Sequence, residues 1–536
     1  FTFNTQACST SNQPTGATAT DLNTDEQAYF GSSSIALLSQ YSAMTDGSNG
    51  TVDQRTAAQG ANLVNFLRGQ HNREGPTLFR SNDLTTLYRN RTHALGDIVG
   101  SQPAYVGAPG ASYTDNGYSA FKLANASRST TIYAGANDGM LHALNASNGQ
   151  ELWAYIPRLV LPRLYKLADN NYASTHQFYV DGTPSVSDIN AGTSSSPNWK
   201  TILVGGLNKG GKGYYALDVT DPDHPKGLWE FGWSSSCWDI TSTASSDCHV
   251  GYSYGRPLIT KLQDGRWVVI VASGLNNVNS PALSGDGQGY VYILNAATGT
   301  LIAKIATGAG DATTPSGLAH LTGFVDDGSV NNTTLRVYGG DLLGNIWRFD
   351  INDNLLPDGL EATKIGTATD ANGTPQPIST RMELGEIDGR PWIYVGTGRL
   401  WGVSDITDTQ RQSLYGIRDP LTGSLAYADL RGSLNLRQLS QVGSGRTAYR
   451  TNACASTCSG SNGWVIDLPD AGERVNLTPQ LQLGTIVFLS NVPSPSVCST
   501  GGYGWVNFMD YRTGGTVASS ADLASSRRFD ATLDVG

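Results

Sequence analysis

A repeated antiparallel hairpin predicts an all-β fold for this 536-residue chain. Residues 131–153, TIYAGANDGMLHALNASNGQELW, contain two short apolar strands joined by a tight Asn-Asp-Gly turn. The same outline of strand, turn and aromatic-rich strand returns at residues 202–222, 269–301 and 336–353, and in shorter form at 392–403. The chain also contains 63 glycines, many of them in turns, which fits a turn-rich β protein.

A two-stranded hairpin cannot bury its apolar face alone, so the copies must pack against one another. For antiparallel units the closed arrangement is a ring of radial sheets, and we therefore predict a β-propeller of about six or seven blades. The β region is expected to open within HALGDIVGSQPAYVGAP, residues 93–109, with Ile98, Val99, Tyr105 and Val106 as strand residues around a proline that suits an edge strand. The wide spacing of the copies predicts long loop insertions, and loops on a rigid ring are where contact surface is made.

The chain on either side of the predicted ring has a different pattern. Residues 1–92 predict a polar tether and a small accessory helical element, in which Asp53 caps a segment with apolar residues at helical spacing. The propeller is expected over residues 93–515, with a short helical excursion started by Pro162. Residues 516–536 lack strand periodicity and are expected to form an irregular tail.

Composition and charge exclude several classes of function. The formal net charge of -10 argues against nucleic acid binding, which needs a clustered basic stripe. No apolar run approaches the ~20 residues that a transmembrane helix needs. Only 15% of the residues are charged, which is more typical of extracellular than of intracellular domains. The first residues, FTFNTQACST, do not resemble a signal peptide, so we expect either that one was removed from an exported protein or that the chain is a fragment.

The six cysteines are an even number, which fits an oxidising compartment. Cys237 and Cys248 flank a Ser-rich insertion, and we predict that they pair, because a disulfide would close a short loop that is otherwise free to move. The spacing of the Cys-x-x-x-Cys pair at residues 454–458 suits a metal, but no second Cys or His pair lies nearby in the sequence. The sequence leaves open the pairing of Cys8, Cys454, Cys458 and Cys498.

Two glycine-rich motifs match part of a catalytic or a nucleotide-binding sequence pattern. Residues 251–255, GYSYG, match the Gly-x-Ser-x-Gly motif of hydrolases, but the next residues begin a strand where a nucleophile needs a following helix. Residues 285–289, GDGQG, lead into a strand rather than a helix, so we interpret them as a turn and not as a dinucleotide loop. We therefore predict no catalytic or cofactor-binding residue and a protein that is not an enzyme.

A short acidic loop is a candidate metal site. It offers oxygen atoms at alternating positions, which is how a loop wraps calcium, an ion that takes 6 to 8 oxygens. The candidate ligands are Asp326, Asp327, Ser329, Asn331 and Thr333. Only two of these are carboxylates, and Leu335 stands where a closing carboxylate would help, so we expect calcium binding to be weak or absent.

The amino-acid sequences of the repeats resemble those of a known family. The motifs that carry the resemblance are LGDIVGSQPAYVG at 95–107, GANDGMLHALNASNGQELWAYIP at 135–157, GGKGYYALDVTDP at 210–222, VYGGDLLGNIWRFD at 337–350 and VGTGRLWGVSD with RQSLYGI between 395 and 417. In this order they resemble the C-terminal domain of the PilY/PilC proteins of type IV pili, over roughly residues 50–515. The resemblance implies a modified, quinoprotein-like propeller, exported to the periplasm and on to the cell surface or the pilus tip.

The resemblance also implies a function. Members of this family support pilus assembly by promoting extension or opposing retraction, and they mediate surface attachment and twitching motility. The implied partners are minor pilins or the pilus tip complex, and a receptor on a host or an abiotic surface. In calcium-dependent relatives a loop of the form D-x-[DN]-x-D-x-x-x-D precedes the R-V-Y motif, whereas the aligned residues here are Asp327, Ser329, Asn331 and Leu335.

Two other functions fit the same ring. A quinone-dependent dehydrogenase needs calcium beside its cofactor and a carboxylate base, and in many such enzymes adjacent cysteines cover the cofactor, but no two cysteines here are neighbours. A carbohydrate-binding propeller would use exposed aromatic side chains, such as those of Trp238 or Trp401, to stack on sugar rings.

Overall fold

A computed structural model describes residues 22–75, 79–234, 246–278, 285–325, 327–355, 359–494, 502–520 and 523–530. The singled-out residues that lie outside these ranges are Cys8, Cys237, Trp238, Asp326 and Cys498. The chain divides into two compact units. Unit 1 is formed by residues 1–234, 244–259 and 296–300, and unit 2 by residues 235–243, 260–295 and 301–536.

Short helices form the start of unit 1. The Asp53 carboxylate caps one of them by accepting a hydrogen bond from the N–H of Thr56 at 2.9 Å. Gly60, with a φ of 58°, separates this helix from the next, so the single helical segment expected from the sequence is two helices. The α-helices are α1 Thr24–Ala28, α2 Ser32–Ile35, α3 Gln54–Ala57 and α4 Ala61–Leu67, with 3-10 turns at Tyr41–Ala43 and Ser48–Gly50.

Two four-stranded antiparallel sheets follow in unit 1, each with its strands in sequence order. The first consists of β1 Ala104–Val106, β2 Thr131–Gly135, β3 Leu141–Asn145 and β4 Glu151–Tyr155, and the second of β5 Ser185–Asn190, β6 Trp199–Gly206, β7 Gly213–Asp218 and β8 Lys226–Gly232. Helix α5, Tyr118–Ala124, lies between β1 and β2. The predicted helical excursion is a 3-10 helix, Arg158–Ala168, with Pro162 inside it rather than at its start. Shorter 3-10 turns lie at Tyr172–Ser174 and Asn208–Gly210.

Unit 2 holds two further four-stranded antiparallel sheets, apart from the first two residues of β9, which belong to unit 1. Their strands are β9 Leu258–Lys261, β10 Trp267–Ala272, β11 Tyr290–Asn295 and β12 Leu301–Ala306, then β13 Leu321–Val325, β14 Thr334–Gly340, β15 Asn345–Phe349 and β16 Ala362–Thr367.

All four of these sheets share one irregularity, which marks them as copies of the same unit. In each sheet the register between the third and the fourth strand shifts by a bulge near the middle of the third strand. The shifts occur at Ala143/Leu144, Ala216/Leu217, Ile293/Leu294 and Ile346/Trp347. Each repeat, which the sequence shows only as a hairpin, is therefore a four-stranded sheet with a bulge at the same position.

The remaining strands of unit 2 form one eleven-stranded sheet in the order β17-β18-β19-β22-β20-β21-β27-β26-β25-β23, with β24 also paired to β25. The pairing is antiparallel except between β20 and β22. The strands are β17 Glu383–Ile387, β18 Arg390–Gly396, β19 Ser413–Arg418, β20 Asn435–Val442, β21 Tyr449–Cys454, β22 Gly463–Asp467, β23 Arg474–Val475, β24 Gln480–Gln482, β25 Thr485–Val492, β26 Tyr503–Asp510 and β27 Ala524–Asp530. Helix α6, Val403–Ile406, and 3-10 turns at Arg431–Ser433 and Gly445–Thr447 lie between them.

Strand β27 corrects the expectation of an irregular tail over residues 516–536. It pairs with β21 on one side and β26 on the other, so its backbone hydrogen bonds hold it in the sheet. Its buried residues are Ala524, Ser525 and Ser526, which are small or polar and give no apolar alternation in the sequence. The other proposed boundaries, 1–92 and 93–515, stay a prediction.

Each unit has its own apolar core. In unit 1 the helices and the first two sheets share one cluster, which includes Leu63, Phe66, Leu141, Leu164 and Leu203. In unit 2 one cluster lies around Ile346, Ile393 and Val465, and another around Trp464 and Phe488. Within the described parts of the chain, no helix combines the length and the apolar character that crossing a membrane requires.

Candidate functional site

An exposed loop of unit 1, residues 95–102, presents three aliphatic side chains to solvent, and we call it the aliphatic loop. Leu95 is 53% exposed, Ile98 43% and Val99 62%. The expectation of strand residues here is confirmed for Tyr105 and Val106, which lie in β1, and wrong for Ile98 and Val99, because β1 begins only at Ala104. The loop therefore exposes three aliphatic side chains beside the half-exposed carboxylate of Asp97, without the pairing that a strand would give it.

Side chains of the neighbouring sheet turns hold the backbone of the aliphatic loop in place. Gly96 N–H donates to Asp138 Oδ2 at 2.8 Å, and Gly100 N–H donates to Asp181 Oδ1 at 2.7 Å. In the other direction, Asn137 N–H donates to the carbonyl oxygen of Asp97 at 3.0 Å. These bonds take the place of strand pairing, which explains why an apolar segment at this position is a loop.

Close packing requires a glycine at position 96, where a Cβ atom would meet backbone, and crowds position 100, where it would meet side-chain atoms. A Cβ atom on Gly96 would lie 2.3 Å from the backbone nitrogen of Asp138. A Cβ atom on Gly100 would lie 2.6 Å from Oδ2 of Asp181. The loop therefore has one tightly defined path over the sheet, and its exposed aliphatic side chains start from a fixed backbone.

Two histidines reinforce the carboxylates that hold the loop. His142 contacts Asp138 Oδ2 through Nε2 at 3.0 Å and Glu151 Oε1 through Nδ1 at 2.6 Å. Burial lowers the pKa of His142, but the hydrogen bonds to these two carboxylates outweigh it and raise the pKa to about 9. His142 is therefore protonated at neutral pH and donates from both ring nitrogens.

The second histidine acts on Asp97 of the loop itself. His176 Nε2 lies 3.0 Å from Asp97 Oδ1, and Asn137 Nδ2 donates to Asp97 Oδ2 at 3.0 Å. Burial would raise the pKa of Asp97, but these hydrogen bonds outweigh it and lower the pKa. The aspartates around the loop thus have positioning roles that sequence reasoning missed, since their partners are distant in the chain.

A small cavity of about 40 Å³ lies beside the aliphatic loop. The two arginines of its lining are already engaged, because Arg91 pairs with Glu74 at 2.5 Å and Arg89 lies over the ring of Tyr172, 4.6 Å from the ring centre. A cavity of this size holds a few water molecules at most. It does not provide a pocket for an organic substrate.

The predicted calcium loop forms a self-bonded turn in unit 2. Asp327 Oδ1 accepts hydrogen bonds from the N–H of Ser329 at 3.1 Å and from its hydroxyl at 2.7 Å, and these bonds lower the pKa of Asp327. The Thr333 hydroxyl donates to Asn331 Oδ1 at 2.9 Å. Because these oxygens serve the turn itself and only one of the described ligands is a carboxylate, the residues present do not fit a calcium cage.

The structure establishes part of the cysteine pairing. Cys454 and Cys458, whose pairing the sequence left open, form a disulfide with an S–S distance of 2.11 Å. Cys248 also belongs to a disulfide, but Cys237 lies outside the described residues, so the pairing of these two stays a prediction.

Two further groups with reactive side chains have structural roles. Ser253 of the Gly-x-Ser-x-Gly motif is buried, accepts from the N–H of Leu207 at 2.9 Å and donates to the carbonyl of Gly213 at 2.7 Å. Asp247, Cys248 and His249 form a second group, which was not predicted from the sequence, and three of their potential metal-binding atoms lie within 4.8 Å of one another. The sulfur of Cys248 is in a disulfide, so this group cannot offer a thiolate to a metal.

A second exposed apolar feature lies in unit 2 at Trp401, which is 40% exposed, and Val403, which is 83% exposed. Asp405 holds this turn, because its Oδ2 accepts the N–H of Trp401 at 2.8 Å. The side chain of Arg474 is buried next to this turn, and its Nη1 donates to the carbonyl oxygen of Arg399 at 3.0 Å. Trp401 is thus presented from a rigid turn.

The repeated four-stranded antiparallel sheets define a β-propeller protein. Residues 95–442 match the family described as the PilY1 beta-propeller domain, and the chain belongs to this family. The match confirms both the all-β propeller prediction and the resemblance to the PilY/PilC proteins.

Individual relatives agree with the family assignment. The chain is 34% identical over 478 residues to a type IV pilus biogenesis factor PilY1 homolog of Xylella fastidiosa, covering 86% of this chain and 35% of that protein. It is 31% identical over 528 residues to the type IV pilus biogenesis factor PilY1 of Pseudomonas aeruginosa strain PAK, covering 89% of this chain and 42% of that protein. The chain therefore spans between a third and a half of the length of these relatives.

A solved structure shows the same fold. The crystal structure of the Pseudomonas aeruginosa PilY1 C-terminal domain superimposes with a TM-score of 0.61 at 25% sequence identity. The match covers 80% of this chain and 93% of that domain.

Proposed function

We propose that this chain is a non-enzymatic module of type IV pilus assembly, exported to the cell surface or the pilus tip. In this role it promotes pilus extension or opposes retraction and mediates surface attachment and twitching motility. Its relatives are named as type IV pilus biogenesis factors, and membership in their family supports the proposal. The partners we propose are minor pilins in the tip complex and a receptor on a host or abiotic surface.

The observation that carries this proposal is the aliphatic loop. Exposed aliphatic side chains cost solubility, and a backbone held by Asp138 and Asp181 keeps them in one arrangement before any partner arrives. Burying Leu95, Ile98 and Val99 against a partner would contribute roughly 1 kcal/mol or more for each side chain. We therefore assign this loop to the contact with a minor pilin.

The experiment is a binding measurement with purified soluble domains of minor pilins. The variant L95S/I98S/V99S removes the apolar surface and keeps both loop glycines and the aspartates that hold them. We expect its affinity for the minor pilin to fall roughly tenfold or more, which corresponds to about 1.4 kcal/mol. In cells, the same variant in the full-length protein should reduce surface piliation and twitching.

The matched control is L37S/L123S, which removes two aliphatic side chains of unit 1 that are 68% and 78% exposed and lie outside the loop. This control should bind as the unchanged chain does. If the loop variant and the control bound the minor pilin equally well, the aliphatic loop would not be the contact surface. No retention of any minor pilin by the unchanged chain would count against the assembly role itself.

The turn at Trp401 favours a second candidate, a carbohydrate-binding surface used in attachment. An exposed indole on a rigid turn can stack on a sugar ring, and Asp405 fixes the backbone of this one. A glycan array probed with the chain and with W401A tests it. Signals that W401A loses would support sugar binding, and an array on which the unchanged chain gives no signal would exclude it.

A further inference from the structure

An arginine of unit 2 contacts both sulfurs of the Cys454–Cys458 disulfide. Arg437 on β20 is the direct cross-strand partner of Cys454 on β21. Its Nη1 lies 3.3 Å from Sγ of Cys454 and 3.6 Å from Sγ of Cys458. The guanidinium is therefore in hydrogen-bonding range of a bond that carries no charge.

The position of this guanidinium is fixed by other groups. Its Nε donates to Oδ1 of Asn452 at 2.9 Å, and Asn452 in turn donates to the carbonyl oxygen of Gly514 at 2.6 Å. Gly515 leaves room for it, since a Cβ atom there would lie 3.0 Å from Nη2 of Arg437. Burial lowers the pKa of this guanidinium, and the carboxylate of Asp510, which also acts on it, raises the pKa by less.

This arrangement favours the reduced state of the cysteines. A guanidinium beside a neutral disulfide makes only weak hydrogen bonds to sulfur, but beside a thiolate it forms an ion pair. Burial lowers the pKa of Arg437, so its charge is partly desolvated while the disulfide is closed, and a thiolate would compensate that cost. A disulfide whose reduced form is stabilised is easier to reduce and exchanges more readily with other thiols.

The bond is also accessible. Cys454 and Cys458 are both partly exposed, and residues 455–457 and 459–461 on either side of Cys458 are exposed. The sulfur of Cys248, in contrast, belongs to a residue that is 0% exposed. The Cys454–Cys458 disulfide is thus accessible and lies next to a cation. Cys248, which is buried and belongs to another disulfide, serves as an internal comparison.

We propose that Cys454–Cys458 is a thiol–disulfide exchange site whose substrates are thiolates, either of small thiols such as glutathione or of cysteines on other proteins. The incoming thiolate attacks Sγ of Cys458 and forms a new sulfur–sulfur bond with it. The Cys454–Cys458 bond breaks, and its electron pair leaves on Cys454 as a thiolate beside Arg437, which keeps its proton. A second thiolate can then release Cys458, so that the incoming thiols are oxidised to a disulfide and the two cysteines are reduced.

The test is a redox titration of the whole chain at pH 7 in glutathione buffers, with a second series in which a reduced thioredoxin supplies protein thiols. Free cysteines are trapped by alkylation, and the peptides that contain Cys454, Cys458 and Cys248 are quantified by mass spectrometry. We expect Cys454 and Cys458 to become reduced under conditions that leave Cys248 oxidised. The series in which exchange is faster identifies which source of thiol the site prefers.

The matched variants are R437Q, which removes the charge, and R437K, which retains it. We expect R437Q to lower the equilibrium constant for reduction roughly tenfold, and R437K to stay close to the unchanged chain, when the titration is repeated at about pH 9. One pKa unit of a thiol corresponds to a factor near ten only where the thiol is mostly ionised. Thermal melting establishes that both variants are folded. Equal reduction of R437Q and the unchanged chain would overturn the proposal.

A measurement on the unchanged chain keeps the proposal testable if R437Q does not fold. After reduction, the pH dependence of alkylation gives the pKa of the Cys454 thiol. We expect a pKa below the value of about 8.5 that a free cysteine has. A pKa at or above that value would refute the role of Arg437.

Discussion

The backbone N–H of Gly96 donates a 2.8 Å hydrogen bond to Oδ2 of Asp138, across a sequence separation of 42 residues. Asp138 belongs to the turn between β2 and β3, and its carboxylate also contacts His142. One side chain therefore connects a sheet turn to the exposed aliphatic loop. The loop's shape depends on the sheet beneath it, and this dependence can be tested at both ends of the bond.

The first prediction concerns Gly96. In G96A the new Cβ atom would lie 2.3 Å from the nitrogen of Asp138, so the loop must move away from the turn. We expect the free energy of unfolding of unit 1 to fall by about 1–3 kcal/mol, measured by urea denaturation. The control is G110A, because a Cβ atom at Gly110 meets nothing within 4 Å. Equal midpoints for the two variants would show that the loop has room to relax.

The second prediction concerns pH. The pKa of His142 is raised to about 9 in the folded chain, above its ordinary value near 6.5. Protonated His142 therefore stabilises the fold fully below about pH 6.5, and this contribution is lost as the pH rises through about 9. Because the side chain of Glu151 is 51% exposed, we expect a loss on the order of 2 kcal/mol rather than more.

The measurement is the free energy of unfolding between pH 6 and pH 10, compared with H142Q. Glutamine donates to a carboxylate at every pH, so the pH-dependent loss in this range should be smaller in H142Q. A decrease of the same size in both proteins would assign the pH dependence to other groups.

The third prediction concerns calcium. Oδ1 of Asp327 already accepts two hydrogen bonds from Ser329 within its own turn, and Asp327 is the one carboxylate among the described candidate ligands. We expect calorimetric titration with calcium to show weak or no binding, and D327A to titrate in the same way. A tight site that D327A abolishes would show that the loop rearranges into a cage.

The sequence predicts those parts of the fold whose signals are local. The hairpin at 131–153 is visible because its turn residues and its alternating apolar residues lie within one short stretch. The cap at Asp53 is likewise local, since its partner Thr56 lies three residues away. Strand β27 was missed because its pairing is supplied by β21 and β26, and its own side chains carry no β signal.

The candidate site could be predicted even less well, because its geometry depends on contacts between residues that are distant in the sequence. Ile98 and Val99 look like strand residues, and only the distant carboxylates of Asp138 and Asp181 explain why they lie in a loop. The contact between Arg437 and the Cys454–Cys458 bond also depends on the register of two strands. Long-range pairing of this kind cannot be read from one sequence, whereas the motifs that identify the family can.

The last prediction concerns a buried ionic group in unit 2. Arg450 is 0% exposed, and its Nη1 and Nη2 donate to the two carboxylate oxygens of Glu473, both at 2.9 Å. The guanidinium also lies over the ring of Trp505, 3.7 Å from the ring centre. In R450M the carboxylate of Glu473 stays buried without its cation, so we expect the free energy of unfolding of unit 2 to fall by about 3–5 kcal/mol in urea.

Two further variants separate a buried charge from simple loss of packing. R450M/E473Q removes both members of the fully buried pair and should recover part of the stability, because the carboxylate of Glu473 is no longer left uncompensated. The recovery is only partial, because Asp470, whose Oδ2 also lies 2.9 Å from Nη2 of Arg450, keeps its charge. R512M removes an arginine whose side chain is 52% exposed and should change the free energy of unfolding by no more than about 0.5 kcal/mol. If R450M and R450M/E473Q were equally unstable, the loss would come from the packing of Arg450 on Trp505 rather than from its charge.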